Sequence, residues 1–114
     1  MHRSEFLVEL KREFPDVRED VNQEHGLLHL EVAAFARRTQ RAIDEQDREA
    51  VSRAFKLAAK CLTDGDSKLQ NAIGVSYLEH LEFRDQKVAR SWAYEQMPQS
   101  LRGAYRALRG AGAA

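Results

Sequence analysis

Apolar side chains recur every three to four residues along almost the whole chain, and no run alternates apolar with polar residues as a half-buried strand does. A period of three to four residues is typical of helices that bury one face against a core. The chain is therefore expected to be helical throughout. The clearest such faces are Phe6, Leu7, Leu10 and Phe14; Val51, Ala54, Phe55, Ala58 and Leu62; Leu69, Ala72, Ile73, Ser76, Tyr77 and His80; and Leu101, Tyr105 and Leu108.

Residues that favour helix ends divide this pattern into five or six helices. Pro15 ends the first helix, because the residue before a proline avoids the helical conformation. Gly65 suits a left-handed helix C-cap, where a larger side chain would be strained. Serine and aspartate side chains cap helix N-termini by accepting hydrogen bonds from free amides. The candidate N-caps are Ser4, Asp47, Asp66 and Asp85.

The longest predicted helix runs from about residue 25 to residue 43, and it is apolar on more than one side near its start. This pattern predicts a central helix with neighbours on several faces. Residues 16–24 before it are predicted to form a short helix or turn. A fifth helix is expected after Asp85, with Trp92 largely buried. The apolar face of this fifth helix consists of Val88, Ala89, Trp92, Ala93 and Met97.

These elements predict an all-α fold in a single domain, residues 1–109, followed by a flexible tail of glycine and alanine at residues 110–114. Short loops make consecutive helices antiparallel neighbours. The candidate caps Asp47, Asp66 and Asp85 are spaced by 19 residues, which is a feature of helical repeats. A compact bundle and a short solenoid-like stack of five to six antiparallel helices both fit the pattern.

The 114 residues carry 18 basic and 18 acidic side chains, a net charge of zero. A neutral chain is not typical of a nucleic-acid-binding domain, which usually presents a strongly basic footprint. The charge is uneven, because residues 1–49 hold 12 acidic and 8 basic residues whereas residues 84–114 hold 2 and 6. Two segments of opposite net charge can attract one another or a complementary patch on a protein partner.

No stretch of the chain is apolar enough for a membrane helix or for the core of a signal peptide. The single cysteine, Cys61, cannot form an internal disulfide, and we expect it to pack in the core or at its edge. These features predict a cytoplasmic protein without membrane contact.

His25 and His29 are four residues apart, so a helix would place both rings on one face. Zinc proteases use this spacing with a glutamate directly after the first histidine, but Gly26 occupies that position here. A third ligand would have to come from Glu79 or His80 on another helix. We therefore predict neither a bound metal nor a cofactor.

Four polar side chains lie in segments rich in apolar residues, on what we predict to be the two central helices. They are His29, Glu31, Glu79 and His80, with Asn71, Ser76 and His25 as weaker candidates. Buried polar groups are nearly always hydrogen-bonded, so we expect the two helices to face each other and at least one hydrogen bond to join these four groups. The cluster is then either an internal network or, with Glu79 as base and His80 as acid, a catalytic cleft.

Three stretches of the chain carry a family resemblance. They are Leu27-Leu28-His29-Leu30-Glu31 with Phe35-Ala36-Arg37 and Thr39-Gln40; Asn71-Ala72-Ile73 with Val75-Ser76-Tyr77-Leu78-Glu79-His80-Leu81; and Ala89-Arg90-Ser91-Trp92-Ala93 with Met97-Pro98. In these stretches, and over roughly residues 5–105, the chain resembles a family of small, uncharacterised bacterial proteins. The resemblance implies an all-helical domain of bacterial origin and carries no known activity, so it assigns no catalytic residue.

No phosphate-binding glycine loop, nucleophile elbow or dinucleotide fingerprint is present in the sequence. This absence, the helical pattern and the uneven charge favour a non-enzymatic protein-interaction domain that binds a protein partner or itself. Small helical proteins of this kind resemble toxin-neutralising immunity proteins, although many immunity proteins against nucleases are strongly acidic and this chain is not. Two alternatives are a small enzyme or metal-binding protein that uses the His/Glu cluster, and a structural or regulatory homodimer.

Overall fold

The computed structural model describes residues 1–24 and 26–113, and every regular element in these ranges is a helix. The predicted all-α class is confirmed. In chain order the elements are α1 (Arg3–Glu13), a 3₁₀ turn (Pro15–Val17), α2 (Arg18–Asn22), α3 (Leu28–Asp44), α4 (Arg48–Asp64), α5 (Ser67–Ala72), a π-helical turn that we call the π segment (Ile73–Tyr77), α6 (Ser91–Gln96) and α7 (Gln99–Ala113). No helix in the described part of the chain is both long and apolar enough to span a membrane.

Helix α3 lies at the centre of the fold, as its apolar pattern predicts. It packs against α2, α4, α5 and the π segment, and the side chain of Phe35 is completely buried. The centroid of the Phe35 ring lies 4.5 Å from that of Tyr77 and 5.8 Å from that of Phe6. These three rings join α1, α3 and the π segment in one core.

The same core buries two titratable side chains. Tyr77 is completely buried, and its hydroxyl shares a hydrogen bond of 2.9 Å with Oγ1 of Thr39. Burial raises the pKa of the Tyr77 phenol, because the charged form would lose its hydration. Burial also raises the pKa of the Cys61 thiol to about 12. The prediction that Cys61 packs in the core or at its edge is confirmed.

The helices form a compact bundle. In a solenoid each unit contacts only its neighbours in sequence, whereas α4 packs against α1, α5, α6 and α7. The radius of gyration is 13.2 Å, close to the value of about 13 Å for a globular domain of 100 residues. The division into a domain up to residue 109 and a flexible tail stays a prediction. Helix α7 ends at Ala113, and Ala114 lies outside the described residues.

Two of the predicted helix caps are confirmed, since Asp47 and Asp66 accept hydrogen bonds from the free amides of α4 and α5. The prediction of Ser4 as the first cap is wrong. The imidazole of His2 caps α1 by accepting from the amide of Ser4, and the carboxylate of Glu5 accepts in return from the amide of His2. The two bonds form a capping box, in which a histidine replaces the usual serine or threonine.

The left-handed glycine next to a helix is Gly26, before α3, and not Gly65, at the end of α4. Gly65 has an extended backbone with φ −73° and ψ 154°, so the prediction of a left-handed cap there is wrong. Gly26 is the glycine with a left-handed backbone, at φ 81°. An α-helix does not contain this conformation, which explains why α3 begins at Leu28 instead of residue 25.

The predicted fifth helix begins later than expected, at Ser91 instead of just after Asp85. The segment before it is irregular and is bound to α3 by Gln40. The amide of this side chain donates to the carbonyl of Glu82 at 3.2 Å, and its oxygen accepts from the backbone N–H of Glu82 at 2.8 Å. Contacts between distant parts of the chain therefore override the local helical pattern.

Asp85 reaches the start of α6 across this segment. Its carboxylate accepts from the amides of Arg90 and Ser91, at 2.7 and 2.9 Å, and from the hydroxyl of Ser91 at 2.9 Å. The Arg90 amide and then the two donors of Ser91 lower the pKa of Asp85, because they stabilise the carboxylate. The carboxylate thus stabilises the fold above its unfolded-state pKa, and this contribution is lost as the pH falls through the folded-state pKa.

We therefore expect a carbon NMR titration to give Asp85 a pKa below the unperturbed value of about 3.9. The Asp85→Asn variant keeps a hydrogen-bond acceptor but does not titrate, so its stability should fall less steeply in acid than that of the unchanged protein. A titration midpoint at or above the unperturbed value would contradict this prediction.

Trp92 was predicted to be largely buried; it is partly buried and packs against the core from outside. Its indole N–H lies 3.0 Å from both the side-chain oxygen of Gln46 and the carbonyl of Ala89. The guanidinium of Arg48 stands 4.4 Å from the ring centroid. We expect Trp92→Ala to lower the free energy of unfolding by about 1–3 kcal/mol, less than the loss of a fully buried aromatic ring. Urea denaturation followed by circular dichroism measures this change, and a loss above about 4 kcal/mol would be typical of a core position instead.

Candidate functional site

The helix that begins with α5 widens into the π segment, where Ser76 and Tyr77 are both buried. A π turn is rare and often occurs at a functional site. Here Tyr77 packs on Phe35 in the core, while Ser76 reaches α3. Sequence periodicity did not reveal the π turn, because its residues also fit an ordinary helical stripe.

His29 and Ser76 form a second side-chain hydrogen bond between α3 and the π segment, in addition to the buried bond between Thr39 and Tyr77. Oγ of Ser76 lies 2.6 Å from Nδ1 of His29, a short distance for a side-chain bond. In the tautomer that carries its proton on Nε2, the histidine accepts from the serine hydroxyl. The two predicted central elements do face each other. The partner of His29, however, is a weaker candidate and not one of the other three residues of the cluster.

Glu31 has its partner on another helix. It is only 2% exposed, and its two oxygens accept hydrogen bonds of 2.7 Å from Nε and Nη2 of Arg3 in α1. A bidentate pair of this kind is among the stronger side-chain contacts in proteins. It neutralises the carboxylate inside the fold and fastens α1 to α3, so Glu31 has a structural role separate from that of His29.

Glu79 and His80 are exposed where the helix ends after the π segment. Nδ1 of His80 donates to the carbonyl of Ser76 at 2.5 Å. Carbonyls in the last turn of a helix lack backbone partners, so His80 acts as a helix cap. The structure therefore does not bring the four predicted side chains together; it divides them among a contact between helices, an internal ion pair and an exposed helix end.

In the part of the chain that the structure describes, the weaker candidates do not complete a metal site. His25 lies outside the described residues, and Asn71 is exposed on α5. Within residues 1–24 and 26–110, no three side chains of His, Cys, Asp or Glu are grouped so that they could hold one metal ion. The absence of a metal or cofactor stays a prediction.

Three exposed apolar side chains lie close in sequence to His29 and Ser76, which form a hydrogen bond with each other. Leu27 is 58% exposed, Leu30 46% and Val75 40%. In the described ranges, the one other large apolar side chain with comparable exposure is Val8 on α1. We use the name α3–π face for the set Leu27, His29, Leu30, Val75 and Ser76.

The α3–π face has the composition of a contact surface. Single exposed apolar side chains are common on proteins, whereas several near one point often indicate a binding site. The His29–Ser76 and Thr39–Tyr77 hydrogen bonds hold the backbones of α3 and the π segment in a fixed relation. Sequence periodicity does not reveal the face, because a helix start that is apolar on several sides is typical of a helix covered by neighbours.

The rim of the α3–π face carries an acidic side chain. Glu79 follows Val75 by one helical turn, is exposed, and forms no ion pair with any residue that the structure describes. On α3, Nη2 of Arg37 lies 4.0 Å from a carboxylate oxygen of Glu24, so this positive charge already has a partner. Among the described residues, Glu79 therefore offers an unpaired negative charge one helical turn after Val75.

Comparison with known proteins identifies a family for this chain. The family DUF7674, a domain of unknown function, matches residues 7–110. The predicted relation to an uncharacterised family is thereby confirmed. No curated protein and no solved structure matches the sequence.

Proposed function

Because the chain belongs to the DUF7674 family, for which no function is known, we propose from its geometry that it is a non-enzymatic protein-interaction domain that binds through the α3–π face. The observation that carries this proposal is the exposure of Leu27, Leu30 and Val75, which are sequence neighbours of the hydrogen-bonded pair His29 and Ser76. Covering apolar surface stabilises a complex by about 25 cal/mol per Å², before the costs of association are subtracted.

The partner that fits this face is a separate protein with an apolar segment and a basic side chain at its edge. The apolar segment would cover Leu27, Leu30 and Val75, and the basic group would pair with Glu79. The exposed ring of His29 adds a hydrogen-bonding group to the centre of the contact. An apolar centre with a polar rim is the usual anatomy of a protein interface.

The finer form of this proposal is a toxin-neutralising role of the immunity type, in the cytoplasm of a bacterium. A small all-α domain with one apolar contact face supports this form. Co-expression with a toxin encoded beside the gene tests it, since the domain should restore growth and Leu30→Asp should abolish the protection. Equal protection by the Leu30→Asp variant would contradict a role for the α3–π face.

Site-specific photocrosslinking in cells that produce the protein tests the binding surface itself. A benzophenone side chain at residue 30 or 75 should yield the same protein adduct. The matched control is position 8, because Val8 is 58% exposed and lies on a different helix, α1. Adducts of equal yield from all three positions would contradict the proposal. An adduct between two copies of the chain would contradict a separate partner and favour the homodimer.

One observation favours a second candidate, a serine hydrolase. A nucleophile and a base within hydrogen-bond distance are the core of such sites, and Ser76 and His29 are 2.6 Å apart. Against this candidate, Ser76 is only 9% exposed. A fluorophosphonate probe decides the matter: labelling that disappears in Ser76→Ala and His29→Gln would support the enzyme, and no labelling of the unchanged protein would exclude this mechanism.

A further inference from the structure

Helix α7 carries a row of arginines and has no acidic residue anywhere in its length. Arg102, Arg106 and Arg109 are separated by four and three residues, so they share one face of the helix. At a rise of 1.5 Å per residue, the row extends over about 10 Å. None of the three guanidinium groups forms an ion pair with a carboxylate of the described residues, whereas Arg84 and Arg90 nearby are paired with Glu82 and Asp44.

The arginines of this row are held in place by aromatic and backbone groups. Nη2 of Arg102 donates to the carbonyls of Glu95 and Met97, at 3.0 and 3.3 Å. Nε of Arg106 donates to the hydroxyl of Tyr94 at 3.0 Å. The guanidinium of Arg109 lies 5.0 Å from the ring centroid of Tyr105. These contacts orient the cations and leave them without a carboxylate partner in the part of the chain that the structure describes.

A recess opens beside the row at the junction of α6 and α7. It has a volume of about 500 Å³ and is lined by Met97, Gln99, Arg102, Gly103 and Arg106. Apart from the adjacent residues and the backbone of α7 itself, no atom lies within 4 Å of the position that a Cβ would occupy at Gly103, so the space beside this glycine is open. A side-chain carboxylate that enters this recess would meet two cations.

We infer that the α7 arginine row binds an acidic segment of a protein partner, with carboxylates spaced by about one helical turn. Three cations along about 10 Å of helix match three carboxylates at positions i, i+4 and i+7 of a partner helix. Arginine also suits carboxylates, since its planar group can donate two parallel hydrogen bonds. This inference does not depend on the α3–π face.

The charge of the whole chain favours an acidic protein segment over a nucleic acid. A nucleic acid requires many phosphate contacts over a broad basic surface. Here residues 1–49 carry 12 acidic and 8 basic side chains, and the exposed side chain of Glu95 lies on α6 beside the recess. These charges repel a long polyanion, whereas a short acidic segment can contact the row alone.

An NMR titration with two synthetic helical peptides tests the inference. One peptide carries Glu at positions i, i+4 and i+7, and the other has Gln at the same three positions. The Glu peptide should shift the side-chain Nε–Hε signals of Arg106 and Arg109 and bind at least tenfold more tightly than the Gln peptide. Raising the salt concentration from 50 to 500 mM should weaken the binding several-fold, because exposed charges are screened.

Variants and a nucleic-acid probe complete the test. The double variant Arg106→Gln, Arg109→Gln should weaken binding of the Glu peptide at least tenfold. The single variant Arg109→Gln leaves the hydrogen bond between Arg106 and Tyr94 intact. It should weaken binding of the Glu peptide at least threefold. The matched control Arg18→Gln removes an exposed arginine from α2 and should change the affinity less than twofold. Equal binding of both peptides, an unchanged affinity in the double variant, or tighter binding of a 12-base-pair DNA duplex than of the Glu peptide would overturn the inference.

Discussion

Phe35→Ala is expected to lower the free energy of unfolding by about 3–5 kcal/mol, as truncation of buried aromatic side chains does. The Phe35 ring is completely buried and contacts the rings of both Phe6 and Tyr77. Its removal leaves a cavity at the point where α1, α3 and the π segment meet. Urea denaturation followed by circular dichroism measures the change.

A matched control for this variant is Val75→Ala, at a position that is 40% exposed on the π segment. Removal of an exposed apolar side chain should change the free energy of unfolding by no more than about 0.5 kcal/mol. Similar losses for the Phe35 and Val75 variants would show that Phe35 is not the centre of the core.

Arg3→Met is expected to lower the free energy of unfolding by about 2–3 kcal/mol, because it leaves a buried carboxylate without a partner. Glu31 is 2% exposed and takes both of its charged hydrogen bonds from Arg3. The cost arises from Glu31. Arg3 itself is 40% exposed, so its own charge contributes little through the solvent-screened attraction.

The double variant Arg3→Met, Glu31→Leu separates this explanation from a simple loss of packing. Replacing a buried ion pair by apolar side chains of similar volume is often nearly neutral. The double variant should therefore recover most of the stability that Arg3→Met loses. A double variant that is less stable than Arg3→Met alone would contradict the account of Glu31 as an uncompensated charge.

The parts of the fold that depend on local sequence were predictable. The apolar period identified the long helices, and Asp47 and Asp66 cap the helices that they were expected to cap. These features depend on residues within one or two turns of each other. The prediction failed where a distant group decides the structure, as in the segment before Ser91 that Gln40 binds to α3.

The candidate site shows the same limit. His29 was identified correctly as a polar group at the contact between two central elements, but its bond goes to Ser76, 47 residues away. The partner of Glu31 is Arg3, which gives no sign in the sequence that it differs from other arginines. The spacing of apolar residues along the sequence shows on which face of a helix a residue lies. It does not show which side chain of a neighbouring helix that residue contacts.

The apolar residues of the α3–π face were the hardest to interpret from sequence. Leu30 fits a helix that is surrounded by neighbours, yet it is 46% exposed, because no element covers this side at the start of α3 in the described chain. Exposure depends on the position of every other helix. This is why the proposed binding surface could be identified only once the bundle was assembled.

The most direct test of the α3–π face as a binding surface is the affinity of the protein captured by the crosslinker at residue 30, measured by calorimetry with purified components. Leu30→Asp and Val75→Asp should each raise the Kd at least tenfold, about 1.4 kcal/mol, and leave the free energy of unfolding within about 0.5 kcal/mol of its original value. Val8→Asp, the control on α1, should change the Kd less than twofold. An unchanged Kd for Leu30→Asp, or an equal loss for Val8→Asp, would contradict the account.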